Sequence, residues 1–412
     1  MSTSLLLACI LAALLLQLGI GIGVGLRRPG SKSLATEPLA DGVAARFESH
    51  GAWAGLREFR VADRVFEDPA RSQCSFNLKP VDGAALAPFA PGQYLTLALK
   101  LAGAVANDAV RTLLRCYSIS AAPSAAGFRI TVKRAARPPG NPNLPPGLAS
   151  ALLLDRIGIG DTLDVKAPAG LFTLDPDAAL GSVFVAGGIG IAPMMCMIEA
   201  ALAVPSPPRA LHLYYGVANA ADHAFKDRLG ALAAAHKSFR QTVAYAAPRA
   251  ADKIGVDFDH AGFIDITLLR ATLPAGRHRF YVCGPPGMMA SLVPALRDWG
   301  VDKDDIRTES FGPSARGVAV PVAARASVSF EVRFGIAART IAWDGRDANL
   351  LDFADRHGVA LGSGCRTGAC GACATRLVSG TVAYARTPDH AVAVGMCLPC
   401  VAVPLSDLRL EG

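Results

Sequence analysis

Cys365, Cys370 and Cys373 stand in a C-x4-C-x2-C arrangement, and Cys400 follows further along the chain. This is the plant-type spacing for a 2Fe-2S cluster, in which thiolates converge on two irons from one tight loop. Gly362, Gly364, Gly368 and Gly371 surround the triplet. They allow close backbone approach and let N–H groups turn inward toward the sulfides. A zinc site or a set of structural thiols is the rival reading. Zinc sites usually pair two C-x2-C knuckles, and Cys397-x2-Cys400 supplies only one half. Cys397 and Cys400 are both candidates for the fourth ligand. The chain has 10 cysteines, and the others (Cys9, Cys74, Cys116, Cys196 and Cys283) are scattered. Clustering of this kind in a long chain points to a metal site in a reducing compartment.

A cluster loop needs only a small domain, whereas this chain has 412 residues, enough for two or three domains. From Ser4 to Leu26 no residue is charged, and Arg27 and Arg28 follow at once. As a helix, 4–26 would span about 34 Å, which is enough to cross a hydrocarbon core. A cleaved signal peptide is the rival reading, disfavoured because no Lys or Arg precedes the run and it is long for such a segment. The positive-inside rule then expects a single-pass membrane protein with its catalytic domains in the cytoplasm. Residues 27–46 read as a tether. The net charge of +7 comes with no long basic run, so no nucleic acid partner is expected.

Residues 47–172 read as an antiparallel β-barrel, with short alternating runs such as Tyr94–Leu99 and Phe128–Lys133 between Pro/Gly clusters. Residues 173–312 alternate apolar strands (Ser182–Ala186, Leu211–Tyr215, Gln241–Ala246, Arg279–Val282) with helical stretches, an α/β Rossmann-like pattern. A small-residue linker, 313–326, precedes the cysteine-bearing domain, 327–412. The run Val185-Ala186-Gly187-Gly188-Ile189-Gly190-Ile191-Ala192-Pro193 is a strand, a glycine turn and a helix start, suited to a pyrophosphate. Cys283-Gly284-Pro285 ends another strand, where ligands of open α/β sheets bind. Gly216–Ala221 carries no Arg or Lys to pair with a 2′-phosphate, which favours NADH over NADPH.

Arg115-Cys116-Tyr117-Ser118 offers a guanidinium for phosphate, a phenol ring for a flavin and a hydroxyl. With SFNLKPVDGAALAPFAPGQYLTL, FRITVKR, VAGGIGIAPMM, FYVCGPPGMM and ESFGPSA in this order, residues 51–312 resemble the ferredoxin–NADP reductase superfamily, most closely the reductase half of flavohaemoglobins. Residues 327–412 resemble plant-type ferredoxins. The resemblance implies an α+β (β-grasp) fold there, with Cys365, Cys370, Cys373 and Cys400 as metal ligands. It also implies FAD held by Tyr94, Arg115, Tyr117, Ser118 and Ser150 under Phe311, and a nicotinamide nucleotide held by Gly187, Gly188, Gly190, Pro193, Cys283, Gly284 and Pro285. Cys283 and Tyr117 are the residues it places at the reacting rings.

There are departures. The family's Ser-Asn-x-Leu-His-Asp is here Ser150-Ala151-Leu152-Leu153-Leu154-Asp155, so its His is lost, and nothing before residue 47 reads as a globin. The expected whole is a multidomain, membrane-anchored reductase running NADH to FAD to 2Fe-2S to an acceptor such as an oxygenase, desaturase or cytochrome. A direct quinone diaphorase and a redox-sensing iron–sulfur flavoprotein are the alternatives.

Overall fold

The computed structural model describes residues 53, 55–86, 88–101, 111–124, 126–136, 147–177, 179–204, 209–311, 330–335, 339–359, 361–362, 366, 368, 371, 373–384, 388 and 392–411. The expected membrane helix 4–26, the tether 27–46 and the linker 313–326 lie outside them. Among the described residues, no helix is long and apolar enough to cross a membrane.

The first sheet comprises β1 Arg57–Phe66, β2 Gln73–Pro80, β3 Tyr94–Leu101, β4 Arg111–Ser118, β5 Phe128–Lys133 and β6 Thr162–Ala169, with helix α1 Leu148–Asp155 before the last strand. Its order is β4-β3-β6-β1-β2-β5, all antiparallel. A bridge from Ile119 to Ile130 brings the two outer strands together, so the sheet curls into a barrel. Alternation supplies the interior: Phe59, Val61, Phe76, Leu78, Leu95, Leu97 and Ile130 are wholly buried. Each such side chain contributes about 1.5–3 kcal/mol relative to exposure.

The second sheet is built from β7 Gly181–Gly187, β8 Leu211–Val217, β9 Phe239–Tyr245, β10 His260–Ala261, β11 His278–Cys283 and β12 Ile306–Glu309. Helices α2 Ile191–Leu202, α3 Lys226–Ala235, α4 Ile266–Thr272 and α5 Pro286–Asp298 connect them. The order β10-β9-β8-β7-β11-β12 is parallel throughout, and it reverses direction between β7 and β11. Such a reversal opens a crevice at the carboxyl ends of those two strands. Continuous burial along β7 and β8 explains their unbroken apolar text, since helices cover both faces.

The segment between barrel and sheet is pinned electrostatically. The Asp175 carboxylate pairs with Arg279 and, at 3.0 Å, with Arg307, while Asp175 N donates to Tyr281 Oη at 2.9 Å. Helix α2 extends into the barrel, where Cys196 belongs to the core. A side chain at Gly92 would stand 2.3 Å from Met197 Cε.

The third unit has β13 Phe330–Phe334, β14 Arg339–Trp343, α6 Leu350–Arg356, β15 Thr375–Ser379, β16 Val382–Tyr384, β17 Met396–Cys397, β18 Ala402–Pro404 and β19 Leu408–Glu411. The main sheet runs β14-β13-β19-β15-β17, with β13 and β19 parallel at its centre. Asn349 caps α6 by accepting from Asp352 N at 2.9 Å, and Phe353 packs that helix against Phe334 and Trp343. This is the α+β grasp arrangement expected of the C-terminal domain.

Candidate functional site

The crevice between β7 and β11 is lined by two turns that touch. A Cβ on Gly190 would lie 2.0 Å from Cys283 O, and one on Gly187 would lie 2.5 Å from Pro285 Cδ. Gly284 is equally confined, 2.4 Å from Met288 Cε. These three glycines therefore serve the packing of one turn on the other. Gly188 differs: its φ is +52°, and the nearest atom to a Cβ there is Lys133 Nζ, at 3.7 Å. Helix α2 starts just beyond, with no side-chain cap and no acidic residue in its first turn, which contains Pro193. A helix start beside an ammonium forms a ready cradle for a pyrophosphate.

Cys283 ends β11 with no exposure, and burial pushes its thiol well above the ordinary range, with Glu309 adding to the shift. It is a neutral thiol, suited to packing and not to nucleophilic attack. In the β11–β12 pairing Cys283 lies beside Glu309, and Ser118 Oγ donates to Glu309 Oε2 at 3.2 Å. The barrel strand β4 and the crevice thus converge on one point.

Around that point the barrel presents its aromatic and basic groups. Tyr94 is opposite Ser118 in the β3–β4 register, and Tyr117 is opposite Leu95. Along β4, Arg115 and Tyr117 share one face, Cys116 and Ser118 the other. Thr96 Oγ1 and Cys116 Sγ lie 3.3 Å apart on that second face. Burial raises the Tyr117 phenol, partly offset by Arg115, so the hydroxyl stays protonated at neutral pH. Arg115 Nη1 donates to Leu114 O at 2.8 Å. Tyr94 lies against Gly170, where a Cβ would be 2.8 Å from Cε1. The Ser150 hydroxyl is engaged within the chain, accepting from Ala135 N at 3.0 Å and donating to Gly147 O at 2.9 Å. Phe311 is half-buried against the nucleotide-sheet core. A half-buried ring and guanidinium beside a hydroxyl fit the planar, anionic body of a flavin nucleotide.

Cys365 and Cys370 lie outside the described residues. Cys373 and Cys400 are each 3% exposed, and their sulfurs approach to 3.1 Å. Two buried sulfurs at that separation fit a shared metal ion. Cys397 is also buried, paired through β17 with Thr375, and burial pushes its thiol up to about 12, with Cys373 adding. Gly368 and Gly371 have φ of 76° and 68°, which a loop wrapping a cluster requires.

Sequence reasoning did not single out Glu309, Lys133 or Tyr384. Burial raises the Tyr384 phenol, and Cys397, Cys373 and Cys400 are among its neighbours.

Fold and site together define a flavin- and nicotinamide-binding reductase module followed by an iron–sulfur domain. Residues 184–293 match the oxidoreductase NAD-binding domain family, and residues 338–405 match the 2Fe-2S iron-sulfur cluster binding domain family. The flavohaem-like FAD/NAD binding domain of nitric oxide dioxygenase from Vibrio cholerae has 30% identity and a TM-score of 0.53, over 63% of this chain and 100% of that one. Phthalate dioxygenase reductase shares the fold at 24% identity and a TM-score of 0.51, over 87% of this chain and 98% of that one. The flavohemoprotein of Halalkalibacterium halodurans is 36% identical over 267 residues, which is 65% of this chain and 62% of that protein. The chain therefore spans less than two thirds of the length of such relatives. It belongs to the ferredoxin–NADP reductase superfamily, with a 2Fe-2S domain at its C-terminal end. It is an oxidoreductase whose cofactors are FAD, a nicotinamide nucleotide and a 2Fe-2S cluster.

Proposed function

We propose that the chain takes electrons from NADH, passes them through FAD to its 2Fe-2S cluster and delivers them to an external acceptor protein. The convergence of Ser118, Glu309 and Cys283 carries this reading, because it brings the flavin strand to the carboxyl end of the nucleotide strand. Bound FAD supplies the conversion of a hydride pair into single electrons that a 2Fe-2S cluster can take. The protein's part is positioning and the exclusion of water. Gly188, Lys133 and the start of α2 would hold the pyrophosphate. Cys283 would wall the nicotinamide as a neutral thiol, and Ser118 with Glu309 would fix the ring that receives the hydride. Tyr94, Tyr117 and Phe311 would enclose the flavin, with Arg115 facing its phosphate and Ser150 bracing the loop. Cys365, Cys370, Cys373 and Cys400 would hold the cluster.

NADH is preferred over NADPH in this reading. Asp252 Oδ2 accepts from Arg249 N at 2.8 Å and from Ala220 N at 3.4 Å, which puts a carboxylate where the loops after β8 and β9 meet. A carboxylate there suits ribose hydroxyls and repels a 2′-phosphate.

Phthalate dioxygenase reductase, described as a modular structure for electron transfer from pyridine nucleotides to 2Fe-2S, supports the order of modules. The uncharged run Ser4–Leu26 followed by Arg27 and Arg28 supports a membrane anchor with cytoplasmic catalytic units 47–172, 173–312 and 327–412. Anchoring raises the effective concentration of a membrane-embedded acceptor such as an oxygenase, desaturase or cytochrome. Anaerobic reduction with NADH, followed by visible and electron paramagnetic resonance spectra, tests the chain of transfer. Flavin bleaching with a rhombic 2Fe-2S signal is expected. Bleaching without that signal would replace this reading with a direct quinone diaphorase.

A further inference from the structure

The turn between β1 and β2 is organised by one buried carboxylate. Asp68, 5% exposed, accepts from Ser72 N at 2.9 Å, Ser72 Oγ at 2.5 Å and Gln73 N at 2.9 Å. Arg71 N donates to Asp68 O at 3.0 Å. The wiring holds Arg71 at φ 51°, a left-handed conformation that few residues with a side chain adopt. Strain of that kind persists where the surroundings enforce it, and it directs attention to what the side chain does.

Arg71 lies over the Phe66 ring at 3.9 Å, and Arg64 approaches the same ring at 5.1 Å. With Val65, Gly158 and Ile159 they line a depression of about 570 Å³. Two aliphatic side chains stand open on it, Ile159 at 66% and Val65 at 44% exposure. Among the described residues, no carboxylate forms an ion pair with either guanidinium; Arg64 Nη2 donates to Leu154 O and Arg64 Nε to Cys74 Sγ at 3.4 Å, whereas Arg71 is held only over the Phe66 ring. Asp161, beside the rim, accepts from Gly158 N at 2.8 Å, and Asp155 is paired with Arg134.

We infer that this depression docks the headgroup of an anionic phospholipid. The phosphate would meet Arg71, with the positive charge of Arg64 behind it on the same ring, and Ile159 and Val65 would enter the apolar margin of the bilayer. A free phosphate would satisfy Arg71 but leave both aliphatic side chains in water, so the pairing of charge with exposed aliphatics selects a lipid. A tether of the length of 27–46 reaches about 70 Å when extended, so it does not dictate which face meets the bilayer. This depression does.

The same turn grips the nucleotide half from its other side. Ala70 N donates to Ala221 O at 3.0 Å, Gln73 Nε2 to Asp222 O at 3.0 Å, and Phe225 N to Glu67 O at 3.2 Å. Headgroup docking should therefore steady the loop after β8 and lower the KM for NADH. That consequence rests on the nucleotide reading above; the docking itself does not.

The test uses the full chain in nanodiscs of phosphatidylcholine alone or mixed with phosphatidylglycerol, with hydrogen–deuterium exchange followed in peptides covering 64–74 and 156–162. Slower exchange in both peptides is expected only with phosphatidylglycerol. The lipid dependence should weaken about fivefold in Arg71→Gln and about twenty-fivefold in Arg71→Glu. Ile159→Ser, which leaves the charges intact, should also weaken it. Circular dichroism and flavin absorbance establish that each variant is folded. Equal exchange in both discs overturns the proposal, as does protection by inorganic phosphate in phosphatidylcholine discs. If discs fail to retain the protein, the anchor reading falls, and the same exchange with added phosphatidylglycerol vesicles still decides docking.

Discussion

Cys283 and Cys400 are both shut away from solvent, at 0% and 3% exposure, yet their surroundings are built for opposite chemistry. Burial, with the Glu309 carboxylate adding, keeps the Cys283 thiol protonated, and a glycine turn pressed on its carbonyl puts its bulk to use. Cys400 faces a second sulfur at 3.1 Å, a pair placed to ligate one metal ion as thiolates. Burial by itself does not say what a cysteine is for. The nearest charged or ligating group does.

The sharpest way to break this contrast is Cys400→Ser. It should abolish the cluster absorbance and electron transfer to the acceptor, while NADH still bleaches the flavin; Cys283→Ser should leave the cluster spectrum intact. Loss of the cluster spectrum in Cys283→Ser would erase the distinction. Next, Glu309→Gln loosens the junction with Ser118 and should slow flavin bleaching about 100-fold in stopped flow, with cluster content unchanged. An unaltered rate would remove that junction from the transfer site.

Burial of an ionisable group has its own cost in the nucleotide half. His223 shares a hydrogen bond with Tyr245 Oη at 2.9 Å, and burial lowers its pKa from 6.5 to about 4. Between those pH values the unfolded chain takes up a proton that the folded chain refuses. The contribution is complete above pH 6.5 and is lost as pH falls through the window to about 4. It is on the order of 3 kcal/mol. Urea unfolding across that range should show the slope, and His223→Gln should flatten it. The smallest effect concerns coenzyme choice. Asp252→Asn should shift the NADPH to NADH ratio of kcat/KM by up to about fivefold, as one partly exposed charge can. No shift would move the discriminating contact elsewhere.

Much of the fold was legible because its strands are apolar runs between breakers. Ser182–Ala186 extends by one residue at each end, and Phe128–Lys133 has the bounds expected of it. Glu309 was not legible. It is a lone acid at a strand end, and its partner Ser118 is 191 positions away, a pairing that only the folded sheets create. Lys133 stood in view within FRITVKR, but its approach to Gly188 depends on how β5 meets the glycine turn. The glycines themselves carried an ambiguous message. Close approach was apparent from their spacing, but Gly190 turns out to accommodate the Cys283 backbone, and the open position is Gly188.

The grip of residues 67–73 on the loop at 221–225 bears on how this protein could be recombined with its relatives. A chimera that exchanged only the nucleotide sheet, cut within the Asp175 segment, would inherit a loop without the turn that holds it. It would also carry an α2 helix shaped to another barrel's core. The unit of exchange is therefore discontinuous in the chain: the β1–β2 turn has to travel with the sheet it serves.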